Sequence, residues 1–133
     1  MKTPHIFFPL SLIALAACSS VPKADYPDAE TVEVTYHVQP GREMELEALM
    51  NRAWTIYNEK HLVIPQSHAM VVEREYGNRP RIVETFTWVS HAAPDHAPQS
   101  VREIWNQMQD LCEARGGHEG LEINELKAAA TKK

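Results

Sequence analysis

Hydrophobic and polar residues alternate along residues 31–38 and 120–126, whereas along two longer stretches apolar residues recur every three or four positions. Residues 67–76 and 81–90 are rich in β-branched and aromatic residues, which also favour strands. Alternation is typical of a β-strand with one buried face, and the longer spacing is typical of an amphipathic helix. Gly77 and Asn78 favour a tight hairpin turn between the second and third strands. The predicted strands span residues 31–38, 67–76, 81–90 and 120–126, and the predicted helices span residues 42–60 and 98–115.

This order of elements predicts a ferredoxin-like α+β fold. It is a split βαβ (βαββαβ) plan, in which a four-stranded antiparallel sheet carries two helices on one face. The second and third strands also place apolar residues at the opposite parity, namely Val71, Val83 and Val89. Two helices cover only one face of such a sheet, and an exposed apolar face favours aggregation. We therefore predict a homodimer in which a second copy covers the other face.

Four segments resemble the dimeric α/β-barrel superfamily of antibiotic-biosynthesis monooxygenase-type domains. They read YHVQPG, HAMVVERE, RIVETFTW and DHAPQSVREIWNQM, and the resemblance covers residues 31–126. It implies that two ferredoxin-like sheets face each other as a barrel whose lumen holds a small apolar or aromatic ligand. Members oxidise polycyclic phenols without a cofactor or degrade haem. Trp88 and His96 match the haem-degrading members, but the asparagine that these carry on the first strand is missing from residues 31–38, so haem is the weaker alternative.

The first residues have the pattern of a bacterial secretory signal. Lys2 precedes an apolar run over residues 6–17, and the sequence Leu-Ala-Ala-Cys that ends at Cys18 resembles the lipobox of bacterial lipoproteins. The resemblance implies that residues 1–17 are a signal peptide, that Cys18 is lipidated, and that Ser19 directs the protein to the outer membrane, facing the periplasm. A plain signal peptide with an incidental cysteine is the alternative.

Composition and motifs limit the number of domains, the partners and the cofactors that the sequence allows. Residues 18–30 are predicted to be a flexible tether and residues 127–133 a disordered polar tail. The 133-residue chain, 44% apolar, allows one compact domain, and its formal charge of −5 argues against a nucleic-acid partner. No P-loop, CxxC or dinucleotide-binding glycine motif occurs, so the sequence requires no cofactor and identifies none. Lipidation would leave Cys112 as the sole thiol, and we expect it to be buried on the second helix.

Glu84 is the first catalytic candidate. It shares its strand parity with Phe86 and Trp88, and apolar surroundings can tune a carboxyl group into a general base. The structural alternative is an ion pair between Glu84 and Arg74 or Arg81. For a catalytic Glu84, we expect Phe86, Trp88 and Arg74 to line the ligand pocket.

Three histidines are further catalytic candidates. His37 ends the first strand and His68 enters the second, so both come from the same sheet as Glu84, and we expect the three side chains to surround one pocket. His96 lies in the loop after the third strand, over the mouth of that pocket. Two histidines and a carboxylate also suit zinc or ferrous iron, although their spacing matches no metal motif. Strand-end hydrogen bonding and helix capping are the structural alternatives.

Two classes of function remain open. One is a membrane-tethered enzyme, such as a cofactor-independent monooxygenase, in which Glu84 or a histidine deprotonates an aromatic or otherwise acidic small molecule. The other is a non-catalytic binding or structural lipoprotein of the outer membrane. A cavity of roughly a few hundred cubic ångströms lined by histidine and glutamate favours the enzyme, and a packed interior favours the second class.

Overall fold

The computed structural model describes residues 25–127, which form one sheet and two α-helices. Every strand pairing is antiparallel. The strands are β1 (Glu30–Tyr36), β2 (Ala69–Glu75), β3 (Arg79–Trp88) and β4 (Leu121–Leu126), and the helices are α1 (Glu43–Glu59) and α2 (Gln99–Asp110). The strands lie in the order β2, β3, β1, β4. The predicted ferredoxin-like fold is therefore confirmed.

The hairpin between β2 and β3 forms where the sequence predicted it. Gly77 and Asn78 both have positive φ, 76° and 58°, in the left-handed region that glycine and asparagine tolerate best. The turn is tighter than expected, because β3 begins at Arg79 rather than at residue 81.

Helix α2 ends earlier than predicted, at Asp110 rather than at residue 115. Beyond it, the backbone bonds to the extension of β1. Gln39 N–H donates to the Leu111 carbonyl at 2.9 Å, and Glu113 N–H donates to the His37 carbonyl at 2.8 Å. These bonds satisfy backbone groups that a longer helix would have used, so the chain turns toward β4.

Cys112 lies beyond α2 and not on its apolar stripe, which corrects the sequence-based expectation. Its backbone forms an isolated bridge with Val38, and its side chain is only partly buried. Burial nevertheless raises the pKa of the Cys112 thiol to about 11. The thiol therefore stays protonated and unreactive at neutral pH.

The two faces of the sheet differ in character. One face packs beneath α1 and α2 and contributes the strand residues of the core, Val32, Val34, Tyr36, Ile82, Phe86 and Trp88. The opposite face, here called the helix-free face, carries many polar side chains, among them Thr31, Glu33, Thr35, Glu73, Arg81, Thr85 and Thr87.

The helix-free face is thus mixed, whereas the sequence predicted it to be apolar. Val71 and Val83 pair across β2 and β3 on this face, and Val71 is 53% exposed. Val89 follows β3 and packs against the core instead. The apolar area available to a second copy is therefore smaller than expected.

The membrane-related predictions fall largely outside the described part of the chain. The predicted signal peptide and Cys18 lie outside residues 25–127, as do the first residues of the tether and most of the polar tail. Within the described residues, no helix is long and apolar enough to cross a bilayer.

Candidate functional site

Glu84 is a buried carboxylate on β3. Because side chains alternate along a strand, Glu84 points toward the helices together with Ile82, Phe86 and Trp88, as its parity predicted. Its side chain is only 5% exposed. An unpaired carboxylate in an apolar interior would be very costly, so Glu84 needs polar partners.

Two side chains bond to the two oxygens of Glu84. Nε2 of His68 lies 2.8 Å from Oε2, and the hydroxyl of Tyr36 donates to Oε1 at 2.9 Å. In the register of β1 with β3, Val34 lies opposite Glu84 and Tyr36 opposite Ile82, so the phenol reaches the carboxylate diagonally. Burial and the negative charge of Glu84 raise the pKa of Tyr36 well above its ordinary value, which keeps the phenol protonated.

His68 is held against Trp54 of α1. The two rings stack, with centroids 4.3 Å apart and an angle of 16° between their planes. The His68 side chain is 20% exposed, so it lies between the buried carboxylate and solvent. Sequence patterns placed Trp54 only on the apolar stripe of a helix and did not connect it with His68.

The predicted arginine partners do not reach Glu84. Arg81 lies on the helix-free face, where it bonds to Glu73. Arg74 is exposed on the edge strand β2, with its guanidinium 3.7 Å from Glu43 at the start of α1. The prediction that Arg74 lines the ligand pocket is therefore wrong, because an edge-strand side chain at this position lies outside the interior.

A cavity of about 350 Å³ lies between α2 and strands β1, β3 and β4. Glu84 and Tyr36 line it, and Phe86, Trp88 and Trp105 form much of its apolar wall. Phe86 and Trp88 were expected at a ligand pocket, and both line this cavity. The combination of an apolar wall with a few polar groups is typical of small-molecule sites.

Aromatic rings pack against one another in the wall of this cavity. Phe86 and Trp88 meet edge to face at 4.9 Å between centroids, and Tyr57 lies 5.1 Å from Trp88. The Trp105 indole N–H donates to the Tyr57 hydroxyl. Burial raises the pKa of Tyr57 despite that bond, so its phenol also stays protonated. The result is a rigid surface suited to a flat apolar ligand.

The position of the cavity corrects the expected ligand site between two facing sheets. Glu84, Phe86 and Trp88 point toward the helices, and the cavity is built from a single chain. A strand residue points to one face only, so these side chains cannot also line a lumen on the helix-free face. The described residues that line the candidate site therefore all come from one chain.

His37 does not join Glu84, which corrects another expectation. It follows Tyr36 directly and faces the opposite side of the sheet. There its Nε2 lies 2.9 Å from Oε2 of Glu122, and its Nδ1 lies 2.7 Å from Oε1 of Glu75. Nδ1 and Oε1 are close enough for an ion pair, but the angle between them is unsuitable for a hydrogen bond.

The groups around His37 belong to a polar pocket of about 640 Å³. Arg115, which lines it, is nearly buried and bonds to the carbonyls of Val38 and Pro80 as well as to Glu75. Partial burial acts to raise the pKa of Glu75, but the Arg115 hydrogen bond and the nearby His37 outweigh it and lower that pKa. Because these charges compensate one another, the cluster favours a structural role for His37.

His96 is exposed at the end of the short 3-10 turn Ala93–His96. Pro94 of that turn lines the cavity, but His96 does not. The geometry therefore does not support a catalytic role for His96. Across residues 25–127, no group of three or more His, Cys, Asp or Glu side chains is arranged to hold a metal ion.

Comparisons with known proteins bear on the fold. No family profile matches the sequence, and no curated protein is significantly similar to it. Among solved structures, a point mutant of SnoaB, a cofactor-independent oxygenase from Streptomyces nogalater, has a TM-score of 0.59 and 19% identity, covering 78% of this chain and 96% of that one. The chain shares its fold.

Two further structures extend the likeness. A candidate antibiotic biosynthesis monooxygenase from Caulobacter crescentus CB15 has a TM-score of 0.56 and 15% identity, covering 80% of this chain and 95% of that one. A conserved protein from Methanosarcina mazei Go1 has a TM-score of 0.54 and 17% identity, covering 80% and 98%. At such low identity the likeness establishes the fold, and the chemistry must be argued from the site.

Proposed function

We propose that the domain is a small-molecule enzyme in which Glu84 takes a proton from a weakly acidic aromatic ligand, whose anion then reacts with dioxygen. One observation carries the proposal. A buried carboxylate faces an apolar cavity of about 350 Å³, and within residues 25–127 its ion-pair partner is a histidine and not an arginine or lysine. A carboxylate that is not neutralised by a fixed cation remains available as a base.

The cavity fits this chemistry in size and lining. Its volume lies at the lower end of the roughly 300 to 1,000 Å³ that is typical of ligand pockets. Phe86, Trp88 and Trp105 offer flat apolar contacts, while Tyr36 orients the carboxylate. That SnoaB is a cofactor-independent oxygenase supports the same reaction class for this fold.

The proposed reaction balances without a metal or an organic cofactor. An anthrone is an example of such a ligand. One C–H bond of its methylene group breaks, the proton goes to Glu84, and the electron pair stays on the ring system. Dioxygen accepts electrons from this carbanion and forms a C–O bond. The peroxide takes up one proton, and the O–O bond and the second C–H bond then break, so that one oxygen atom leaves in water with both hydrogens and the other becomes the carbonyl oxygen of the quinone.

Oxygen consumption with 1,8-dihydroxyanthrone tests the proposal. We expect a saturable rate above that of uncatalysed autoxidation, with one dioxygen consumed per quinone formed. Quenching of the fluorescence of Trp88 and Trp105 reports binding in the same samples. Binding without turnover would contradict the enzyme and favour the non-catalytic binding role.

We also propose that the chain forms a homodimer through the helix-free face. Val71 is 53% exposed and Leu126 is 42% exposed on this side of the sheet, on opposite edge strands. Native mass spectrometry of the protein without its lipid is expected to show a dimer at micromolar concentration. A stable monomer would contradict this contact without affecting the Glu84 cavity.

We further propose that Cys18 carries a lipid that anchors the domain to the bacterial outer membrane on its periplasmic side. The support is the lipobox-like sequence that ends at Cys18, followed by Ser19. Cys18→Ser is expected to move the protein from the membrane fraction to the soluble fraction and to remove the lipid mass. A variant that stays in the membrane fraction would contradict the anchor.

A further inference from the structure

We propose that His68 is the proton exit of the site, a relay residue that carries the proton taken by Glu84 out to solvent. The inference rests on the proposed function of Glu84 and names the route by which that base is regenerated. Without such a route, Glu84 stays protonated until the peroxide formed from the ligand takes the proton back, so regeneration of the base must wait for the oxygen step.

The two sides of Glu84 face different surroundings. The carboxylate lines the apolar cavity, whereas His68 is not part of the cavity wall. His68 meets Oε2 at 2.8 Å from the other side, and its side chain is 20% exposed against 5% for Glu84. Tyr36, which bonds to Oε1, is itself buried and stays protonated, so it offers no comparable path.

The proton-transfer cycle needs no reactant other than water. The ligand bond to hydrogen breaks, and the proton goes to Glu84. At rest Nε2–H of His68 donates to the ionised carboxylate. Once Glu84 is protonated, that ring hydrogen moves through water to Nδ1, and the Glu84 proton then moves to the freed Nε2. The imidazolium releases the Nδ1 proton to water, which leaves Glu84 ionised and His68 neutral. The remaining ring hydrogen lies on Nε2, as it did at the start of the cycle.

Trp54 is the positioning residue of this relay. Its indole stacks on the His68 ring at 4.3 Å, which fixes the plane of the imidazole while one edge points at Glu84. Loss of the indole would let the imidazole rotate away from the carboxylate. We therefore expect Trp54→Leu to slow the proton transfer severalfold, less than removal of the imidazole itself.

A pH jump with bound 4-nitrophenol tests the relay without requiring turnover. The phenolate absorbs visible light and the phenol does not, so stopped-flow absorbance follows ionisation of the bound probe. Binding is first verified by tryptophan quenching. The variants are His68→Gln, which keeps a donor within reach of Glu84, Trp54→Leu, and His61→Gln, which replaces an exposed histidine as the matched control.

Ionisation of the bound probe is expected to be at least tenfold slower in His68→Gln and to accelerate in proportion to added imidazole buffer. The wild type and His61→Gln should be fast and insensitive to that buffer. A His68→Gln variant as fast as wild type, or one slowed without any response to imidazole, would overturn the relay while leaving Glu84 as the base. Failure of 4-nitrophenol to bind would instead contradict the proposed function, and the relay with it.

Discussion

Glu84→Gln is expected to lower kcat for 1,8-dihydroxyanthrone oxidation by about 100- to 10,000-fold, the range that a general base contributes. Glutamine has nearly the same shape, so its carbonyl can accept from Tyr36 and its amide can bond to His68. The fold should therefore persist, with a melting temperature close to that of the wild type. KM should change little, because Phe86 and Trp88 still form the apolar wall.

The measurement is the oxygen consumption rate over a range of anthrone concentrations, beside thermal unfolding of the same samples. Glu59→Gln is the matched control, since Glu59 is an exposed carboxylate at the end of α1. It should leave both kcat and stability unchanged. An equal rate in Glu84→Gln and the wild type would remove Glu84 from the mechanism.

Arg115→Ala is expected to lower the free energy of unfolding by about 3 to 5 kcal/mol, because two buried carbonyls lose their donor at about 1 to 3 kcal/mol each and two partly exposed carboxylates lose a cation. The Arg115 side chain is 7% exposed, and it bonds to Glu75, Glu113 and the carbonyls of Val38 and Pro80. Alanine would leave those buried carbonyls without their donor, whereas Glu75 would keep His37 and Arg81 beside it.

Urea unfolding followed by circular dichroism measures this difference. Arg52→Ala removes an exposed arginine from α1 and should change the unfolding free energy by no more than about 0.5 kcal/mol. A loss below about 1 kcal/mol in Arg115→Ala, within the range of an exposed ion pair, would show that this network does not stabilise the fold.

Much of the fold was predictable because periodicity reports which side of an element is buried. It located the strands and helices, the turn at Gly77, and the side of β3 that carries Glu84. The same alternation separates His37 from Tyr36, and applying it strictly would have placed His37 away from Glu84. Parity could therefore have excluded one of the proposed catalytic partners.

Other features depend on contacts between distant segments, which a local pattern does not contain. The end of α2 is set by backbone bonds from residues 111 and 113 to the extension of β1. Arg115 was consequently interpreted as the end of a helix, whereas its buried guanidinium pairs with the partly exposed Glu75 and Glu113. The stacking of Trp54 on His68 brings α1 against the start of β2, and only the folded chain shows it.

The sequence alone could not show where in the fold the candidate site lies. Periodicity showed that Glu84, Phe86 and Trp88 share a face, but not which layer covers that face. The resemblance suggested a second sheet, whereas the structure places the two helices there. The candidate cavity thus lies between the sheet and the helices of one chain.

The most direct test of the account is a crystal structure of the protein with 2-naphthol bound. We expect the rings to lie between α2 and the sheet against Trp88, with the hydroxyl within hydrogen-bond distance of a Glu84 oxygen. Naphthol found on the helix-free face, with the cavity beside Glu84 filled by the chain's own side chains, would contradict it.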